Sequence, residues 1–244
     1  MNRLTRKELP AYGKIDKSVD IERLRQYCVD NGYIKYDEFT DIRYNADSPH
    51  KYFLVANTFC KDTFFKEEEA QSREGEKYRQ LYFTDIDPDL KVNTEDRLND
   101  TNSSIFSRTR RLDPTSKDYI PEADEHNYTH KNHHVKGVFE EILNMFESQV
   151  TRVRLAVIMP KFTIKPHVDY DPSYITRYHI PIFTNDQVVF GAKTKDGNIS
   201  YTMPADGSVY FFNSGMLHWV NNNSDVPRLH LIIDTNGQDD LRLQ

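Results

Sequence analysis

Eight short apolar segments, separated by turn-forming residues, fill the chain from residue 153 to residue 235. They are VRLAVIMP (153–160), FTIKPHVDY (162–170), TRYHIPIFT (176–184), QVVFGAKT (187–194), NISYTMP (198–204), SVYFFN (208–213), LHWVNN (217–222) and RLHLIIDT (228–235). Turn signals such as KDGN, ADG, NSG and NNNSD lie between them, as is typical of antiparallel strands. Eight strands at this spacing predict a double-sheet jelly roll or a similar antiparallel barrel.

Two segments before these strands have the 3.6-residue period of helices. The first is SVDIERLRQYCVDNG (18–32), where Ser18 or Asp20 is the candidate N-cap and Gly32 the stop. The second is HHVKGVFEEILNMFESQ (133–149), which predicts a helix on an outer face of the β-structure. The sequence therefore predicts a mainly β protein with flanking helices.

The remaining N-terminal segments have weaker patterns. KYFLVANTF (51–59) predicts a strand, and SREGEKYRQLYFTD (72–85) fits either a helix or a strand. The stretch 87–132 is rich in Asp, Asn, Ser, Thr and Pro, which predicts long loops. Long loops in a compact domain often cover a binding site. We expect these loops to cover the mouth of the barrel and to select the substrate.

Length and composition indicate one cytoplasmic domain over residues 1–244, with strands, a helix and loops in 1–132 and the β-core in 133–236. The net charge of −6 gives no support for a nucleic-acid partner. Cys28 and Cys60 are too few for a disulfide scaffold and are expected to be reduced. No segment approaches the roughly 20 apolar residues of a membrane span, and the N-terminus has no apolar signal region.

Three side chains in the β-region form a candidate metal site. His167 and Asp169 stand two residues apart, so they project to the same face of a strand. His218 joins them if the second and seventh strands are neighbours. Two imidazoles and one carboxylate on one face are the ligand set of a non-haem Fe(II) oxygenase. Asp171 precedes a proline and is interpreted as a turn residue, with the role of ligand in place of Asp169 as the less favoured alternative.

Three further basic residues, one arginine and one Arg/His pair, lie in the same β-region. Arg228 follows His218 by ten residues and opens an otherwise apolar strand, where an arginine is costly unless it meets an anion. Its planar fork would suit a dicarboxylate. Arg177 and His179 form a second pair two residues apart, expected to face inward. The sequence therefore predicts a cationic pocket beside the metal.

These motifs resemble the aspartyl/asparaginyl β-hydroxylase family of 2-oxoglutarate- and Fe(II)-dependent oxygenases. The matching segments are AVIMPKFTIKPH (156–167), HVD (167–169), RYH (177–179), NSGMLHWVNN (213–222) and PRLHLIID (227–234). The resemblance covers about residues 133–236 and implies a double-stranded β-helix, cupin-like core. Two positions depart from the family pattern: Lys161 stands where glycine is common, and Ala156 stands where some members offer a hydroxyl to the cosubstrate.

The resemblance implies a role for each site residue. His167, Asp169 and His218 would bind Fe(II), and the cosubstrates would be 2-oxoglutarate and O₂, with release of succinate and CO₂. Arg228 would pair with the C5 carboxylate of 2-oxoglutarate. Arg177 and His179 would lie near its C1 end or in the iron-proximal pocket. The carboxylate at position 169 favours hydroxylation over the halogenating variants, in which a small residue leaves a site for chloride.

Other interpretations stay open from the sequence. A cupin-type metal-binding or sensing module would hold a metal without oxygenase activity, although it would not need Arg228. For a hydrolytic zinc enzyme, the sequence offers no evident general base beside the three ligands.

The substrate is an amino acid or the side chain of a peptide residue, and the lack of a peptide-binding repeat favours a small amino-acid-like molecule. The histidines of the stretch 126–134 and the basic run SRTRR (107–111) are interpreted as loop residues, whereas His230 fits either the core or the cosubstrate pocket.

Overall fold

The chain is described by a computed structural model over residues 3–35, 54–55, 78–85 and 125–244. Its strands are β1 (Tyr12–Ser18), β2 (Ile34–Lys35), β3 (Leu54–Val55), β4 (Tyr78–Tyr82), β5 (Thr84–Asp85), β6 (His130–Lys131), β7 (Val150–Ile158), β8 (Phe162–His167), β9 (Thr176–Phe183), β10 (Val188–Thr194), β11 (Gly197–Tyr201), β12 (Ser208–Phe212), β13 (His218–Asn222) and β14 (Arg228–Thr235). Its helices are α1 (Ile21–Asp30) and α2 (Val138–Leu143).

Ten of the strands form two antiparallel sheets of a jelly roll, and β2-β3 and β5-β6 form two short two-stranded sheets. The larger sheet has the order β1-β12-β9-β14-β7-β4, and the smaller has the order β11-β10-β13-β8. All eight strands predicted after residue 150 are present as β7 to β14, so the mainly β, cupin-like fold class is confirmed. The second and seventh of them, β8 and β13, are hydrogen-bonded neighbours, which is the arrangement that the predicted metal site requires.

The N-terminal region contributes to the larger sheet at both of its ends. Strand β1 pairs with β12, and β4, from the segment 72–85 that fitted either a helix or a strand, pairs with β7. Strand β1 was not predicted, because only Ile15 in it is buried and its other side chains carry no apolar alternation. The predicted strand at 51–59 is described only as β3, and the basic run at 107–111 and Cys60 lie outside the described residues.

The helix predicted at 133–149 is wrong in its bounds, since α2 covers only Val138–Leu143. Gly137 precedes it with φ +55°, a backbone conformation that glycine adopts at little cost. After the helix, the backbone N–H groups of Glu147 and Ser148 donate to the carboxylate of Asp240 instead of continuing the helical ladder. Neither helix in the described part of the chain is long and apolar enough to cross a membrane.

Both ends of helix α1 lie close to the positions that the sequence signals predicted. Asp20 is the N-cap and accepts a hydrogen bond from the Arg23 backbone N–H at 3.0 Å, so of the two candidates Asp20 is confirmed. Gly32 follows the helix with φ +73°. Cys28 is fully buried beneath the helix, and burial raises the pKa of its thiol to about 12.

Apolar side chains fill both faces of the larger sheet. One cluster lies between the sheet and the two helices and includes Leu155, Phe139 and Leu231. The second cluster lies between the two sheets and includes Phe190 and Phe212. Because both faces are covered, strands β7, β9 and β14 are buried along their whole length. A charged side chain in these strands therefore has no access to bulk solvent and needs a partner inside the protein.

Candidate metal centre

Two histidines face each other across neighbouring strands of the smaller sheet. His167 ends β8 and is the direct register partner of His218, which begins β13. Their imidazole ring centroids lie 4.2 Å apart. His218 is buried, whereas His167 is half-buried. The adjacency of β8 and β13 thus brings together two residues that are 51 positions apart in the sequence.

Backbone contacts fix the tautomer of both histidines. Nδ1 of His167 lies 2.8 Å from the Lys165 carbonyl oxygen, and Nδ1 of His218 lies 2.8 Å from the Met216 carbonyl oxygen. A carbonyl oxygen can only accept, so each Nδ1 carries the proton and each Nε2 keeps its lone pair. Burial also lowers the pKa of His218 to about 4, which keeps this imidazole neutral near pH 7. Both rings therefore present Nε2 as a metal donor.

Asp169 completes a group of three possible ligands. Strand β8 ends at His167, not at residue 170 as predicted, so the strand period does not itself place Asp169. Its backbone N–H donates to the Ser214 carbonyl at 2.9 Å, which holds the segment after β8 against the segment before β13. Ligand atoms of His167, Asp169 and His218 all lie within 4.8 Å of one another. Two imidazole nitrogens and a carboxylate oxygen are a donor set that fits Fe(II).

Asp171, the alternative ligand, is engaged in a turn. Its Oδ1 accepts hydrogen bonds from the backbone N–H and the hydroxyl of Ser173, at 3.0 and 2.9 Å. The Arg6 backbone N–H also donates to the same carboxylate. Asp171 is not part of the three-residue group.

A cavity of about 240 Å³ opens beside this group. Its walls are formed by Tyr78, Gln80, Arg152, Arg154, Ile164, His167, Asp169, Arg177, His179, Phe190, Phe212, His218, Val220, Arg228 and Ile232. All six residues predicted for the site are among them. The structure therefore places the expected metal ligands and the expected cationic residues around one space.

Arg228 is the most unusual residue of the cavity wall. It opens β14, is 2% exposed, and meets no carboxylate among the described residues. Its Nε has no hydrogen-bond partner, and its guanidinium carbon lies 5.4 Å from the Phe190 ring centroid. Burial lowers the pKa of Arg228 to about 9. A buried guanidinium in this state is poised to receive an anion that enters the cavity.

Arg177 and His179, the second predicted pair, both face the cavity but have different partners. Arg177 forms ion pairs with Asp169 and Asp234. His179 lies with its Nδ1 3.2 Å from Nδ1 of His230, and the Nε2 atoms of both rings are buried with no hydrogen-bond partner among the residues that the structure describes. Burial, and then the charge of Arg228, lower the pKa of both histidines well below the usual value. His230 is thus a core residue that contacts the cavity wall through His179.

Sequence reasoning missed several charged residues near the site. Arg152 and Arg154 line the cavity from β7, and Asp234 lies behind it on β14. The signal was present, because each charge interrupts an apolar strand in the way that drew attention to Arg228. Arg152 also has φ +40° and sits where two residues of β7 oppose one of β14, a bulge of the kind found beside functional sites.

The histidines of the stretch 126–134 do not form a second metal group among the described residues. His134 is buried, with Nδ1 3.1 Å from the hydroxyl of Tyr33. Nε2 of His126 lies 2.9 Å from the Tyr174 carbonyl oxygen. His130 and His133 are exposed.

The chain matches the profile of a known protein family. The profile of a family described as aspartyl/asparaginyl beta-hydroxylase matches residues 61–237, well over half of the chain. The match begins in the N-terminal half, where the sequence showed no motif of the family. No curated protein matches the chain.

Three of the solved structures that match cover 37–38% of this chain. A cupin domain from Bordetella pertussis Tohama I is 17% identical, with a TM-score of 0.29 over 38% of this chain and 88% of its own. A nickel complex of the non-haem monooxygenase ThoJ is 14% identical, with a TM-score of 0.31 over 37% of this chain and 44% of its own. An oxalate oxidase bound to glycolate is 16% identical, with a TM-score of 0.28 over 37% of this chain and 43% of its own. Similarities at this level support no statement about activity.

Proposed function

Because the chain belongs to the aspartyl/asparaginyl β-hydroxylase family, and so is a hydroxylase in kind, we propose that it is an Fe(II)- and 2-oxoglutarate-dependent dioxygenase. It would hydroxylate an unactivated C–H bond of an amino acid or amino-acid residue. One observation carries this proposal: a two-histidine, one-carboxylate group shares one cavity with a buried arginine, Arg228, that meets no carboxylate among the described residues. A metal-binding module without a cosubstrate would gain nothing from such an arginine.

The three ligand residues would hold the metal from one side. His167 and His218 contribute Nε2 in the tautomer set by their carbonyl contacts, and Asp169 contributes a carboxylate oxygen. Three ligands on one face leave the opposite positions for the cosubstrate and O₂. Iron, 2-oxoglutarate and O₂ together supply the oxidising power for hydroxylation, with release of succinate and CO₂.

The remaining cavity residues would bind and orient 2-oxoglutarate. Arg228 would pair with its C5 carboxylate, in keeping with a buried guanidinium that meets no anion in the described part of the chain. Arg177 and His179 would lie toward its metal-proximal end. The apolar side chains of Phe190 and Val220 line the same space and would exclude water from it.

We also propose the coarse class of the substrate and the place of action. The substrate would be a small amino-acid-like molecule, with a peptide side chain as the alternative, and no nucleic acid or membrane would take part. The protein would act in the cytoplasm. The carboxylate at position 169 would direct the reaction to hydroxylation, because halogenating enzymes need a ligand position free for chloride.

The first experiment tests binding without turnover. Fe(II) and 2-oxoglutarate are added to the protein anaerobically, and the visible charge-transfer absorbance of the chelated cosubstrate is measured. Asp169→Asn should lose this absorbance, whereas Asp171→Asn, the same change two residues later in the turn, should keep it. Absence of the band in the unaltered protein would favour the cupin-type binding module.

The second experiment tests turnover. Free amino acids and short peptides are screened for stimulated succinate formation in the presence of Fe(II) and O₂. Asp169→Asn should reduce the rate by at least about 100-fold, because the metal loses its anionic ligand. Full turnover by this variant would show that the assignment of Asp169 is wrong.

A further inference from the structure

We propose that Arg177, Asp234 and Arg154 form a buried positioning network that holds one oxygen of the Asp169 carboxylate and so orients this carboxylate for the metal. The inference rests on the proposed function, in that Asp169 is taken as a metal ligand. It assigns roles to two residues, Asp234 and Arg154, that the sequence did not single out.

Arg177 joins two carboxylates with one planar guanidinium. Its Nε and one terminal nitrogen donate to the two oxygens of Asp234, at 2.8 and 3.0 Å. Its other terminal nitrogen donates to Oδ2 of Asp169 at 2.5 Å. A bidentate contact fixes the plane of the guanidinium, so the third nitrogen has a fixed direction too. The position of Oδ2 of Asp169 is therefore determined from the opposite sheet.

Asp234 is itself held by three adjacent strands. It lies on β14, directly opposite Arg177 on β9. From β7, on the other side, Arg154 donates to Asp234 Oδ2 at 3.0 Å and also to the Arg152 carbonyl at 2.8 Å. Asp234 is fully buried, so solvent does not weaken these contacts.

The charges in the network reinforce one another. Burial alone would raise the pKa of Asp234, but the charges of Arg177 and Arg154 outweigh this effect, and the net pKa is lowered. Asp234 therefore keeps its charge near neutral pH, so its contacts with Arg177 and Arg154 are ion pairs.

A purely structural role would not explain the location of this network. Buried ion pairs usually add little stability compared with apolar residues of the same volume. Here the ion pairs are directed at one side of a proposed metal ligand. With Oδ2 held by Arg177, the carboxylate of Asp169 would keep one orientation toward the two histidines, which is what a metal ligand needs.

The experiment measures Mn²⁺ affinity of the full chain by electron paramagnetic resonance. Asp234→Asn and Arg177→Lys should each weaken Mn²⁺ binding by about 10- to 100-fold, as expected for a residue that orients a metal ligand. Arg177→Lys keeps the positive charge and serves where Asp234→Asn does not fold. Asp206→Asn is the matched control, because Asp206 pairs with the exposed Lys14 outside the cavity; it should leave the affinity unchanged.

Two further measurements separate the possible failures. The melting temperature of each metal-free variant is recorded, and affinities are compared at a temperature where all variants are folded. A merely structural role would lower the melting temperature and leave the Mn²⁺ affinity of the folded protein unaltered, which would overturn the proposal. His218→Ala should abolish Mn²⁺ binding; if it does not, the proposed metal site itself is wrong. If it does, and Asp234→Asn and Arg177→Lys bind normally, only the network is wrong.

Discussion

The residues of the site differ in how their charges are compensated. Arg177 and Arg154 meet carboxylates within the protein, whereas Arg228 meets none among the described residues. Removing a guanidinium from water costs several kcal/mol when no anion replaces the lost hydration. The fold maintains this cost at Arg228, which is 2% exposed and lines the cavity. The simplest physical reason is that an anion bound in the cavity offsets this desolvation cost.

Arg228→Gln should therefore change cosubstrate selectivity. Its affinity for 2-oxoglutarate should fall at least 100-fold, since an unpaired buried carboxylate costs about 3–5 kcal/mol. Its affinity for 2-oxopentanoate, which lacks the second carboxylate, should change less than threefold. Both are measured by anaerobic titration of the Fe(II)-loaded protein. Arg242→Gln, at an exposed arginine that pairs with Glu147, is the control. An equal loss for both oxo acids would contradict the assignment.

At this scale the sequence predicted the residues whose role depends on local pattern. His167 and Asp169 stand out by their spacing, and Arg228 stands out because it interrupts an apolar strand. The Arg177–Asp234–Arg154 contacts were not predictable, because they depend on the register of three strands that are distant in sequence. The sequence therefore predicts the candidate ligands of the site but not the partners that orient them.

At the scale of elements, the packing of β10 against β13 supports the position of His218. Gly191 lies opposite Trp219, the residue after His218. A Cβ at position 191 would lie only 2.0 Å from the Trp219 ring. Gly191 is therefore required by the close approach of the indole, and the indole in turn fixes the start of β13.

Gly191→Ala should destabilise the protein, because the rigid indole of Trp219 must move. Overpacking of this kind costs about 1–3 kcal/mol and should lower the melting temperature by several degrees. Calorimetry or circular dichroism measures the change. Gly13→Ala is the matched control: its Cβ would meet only the flexible end of the exposed Leu243 at 2.9 Å, so its effect should be much smaller. Equal melting temperatures of the two variants would contradict this account of the packing.

The elements themselves were largely predictable from local patterns. Strands β7 to β14 are bounded by turn signals and most of them are rich in apolar residues, so each was found. Helix α2 was overestimated because the apolar period continues after it, while Asp240, almost a hundred residues later, captures the backbone N–H groups that would extend it. Strand β1 was missed because its side chains show no apolar alternation. Its extended conformation depends on pairing with β12, which is distant in the sequence. In both cases a long-range contact decided the local structure.

At the scale of the whole molecule, buried histidines couple stability to pH. His179 and His230 are 4% and 0% exposed, and their pKa values lie well below the usual 6.5. The unfolded chain binds protons at these positions near pH 6.5, whereas the native protein does not. Stability from their neutral forms is thus complete above pH 6.5 and is lost as the pH falls.

The metal-free protein should therefore lose stability between pH 6.5 and 4.5. The free energy of unfolding in urea should fall by about 1.4 kcal/mol for each pH unit and each buried histidine. Aspartates with lowered pKa values, such as Asp234, change the free energy of unfolding only below about pH 4. They therefore do not contribute to the slope between pH 6.5 and 4.5. His230→Asn should flatten the slope, whereas His133→Asn, at an exposed position, should not. A slope that is independent of His230 would contradict the assignment.

The two histidines of the proposed metal centre belong to strands with unequal support. Strand β13 is bonded on both sides, whereas β8 ends the smaller sheet in the described part of the chain and contains Pro166, as last strands can. Opening of β8 alone would carry His167 away while His218 stays in place. An ion bound by both would act as a cross-link between an outer and an inner strand. Its binding free energy would then also be the free energy that keeps the outermost strand attached.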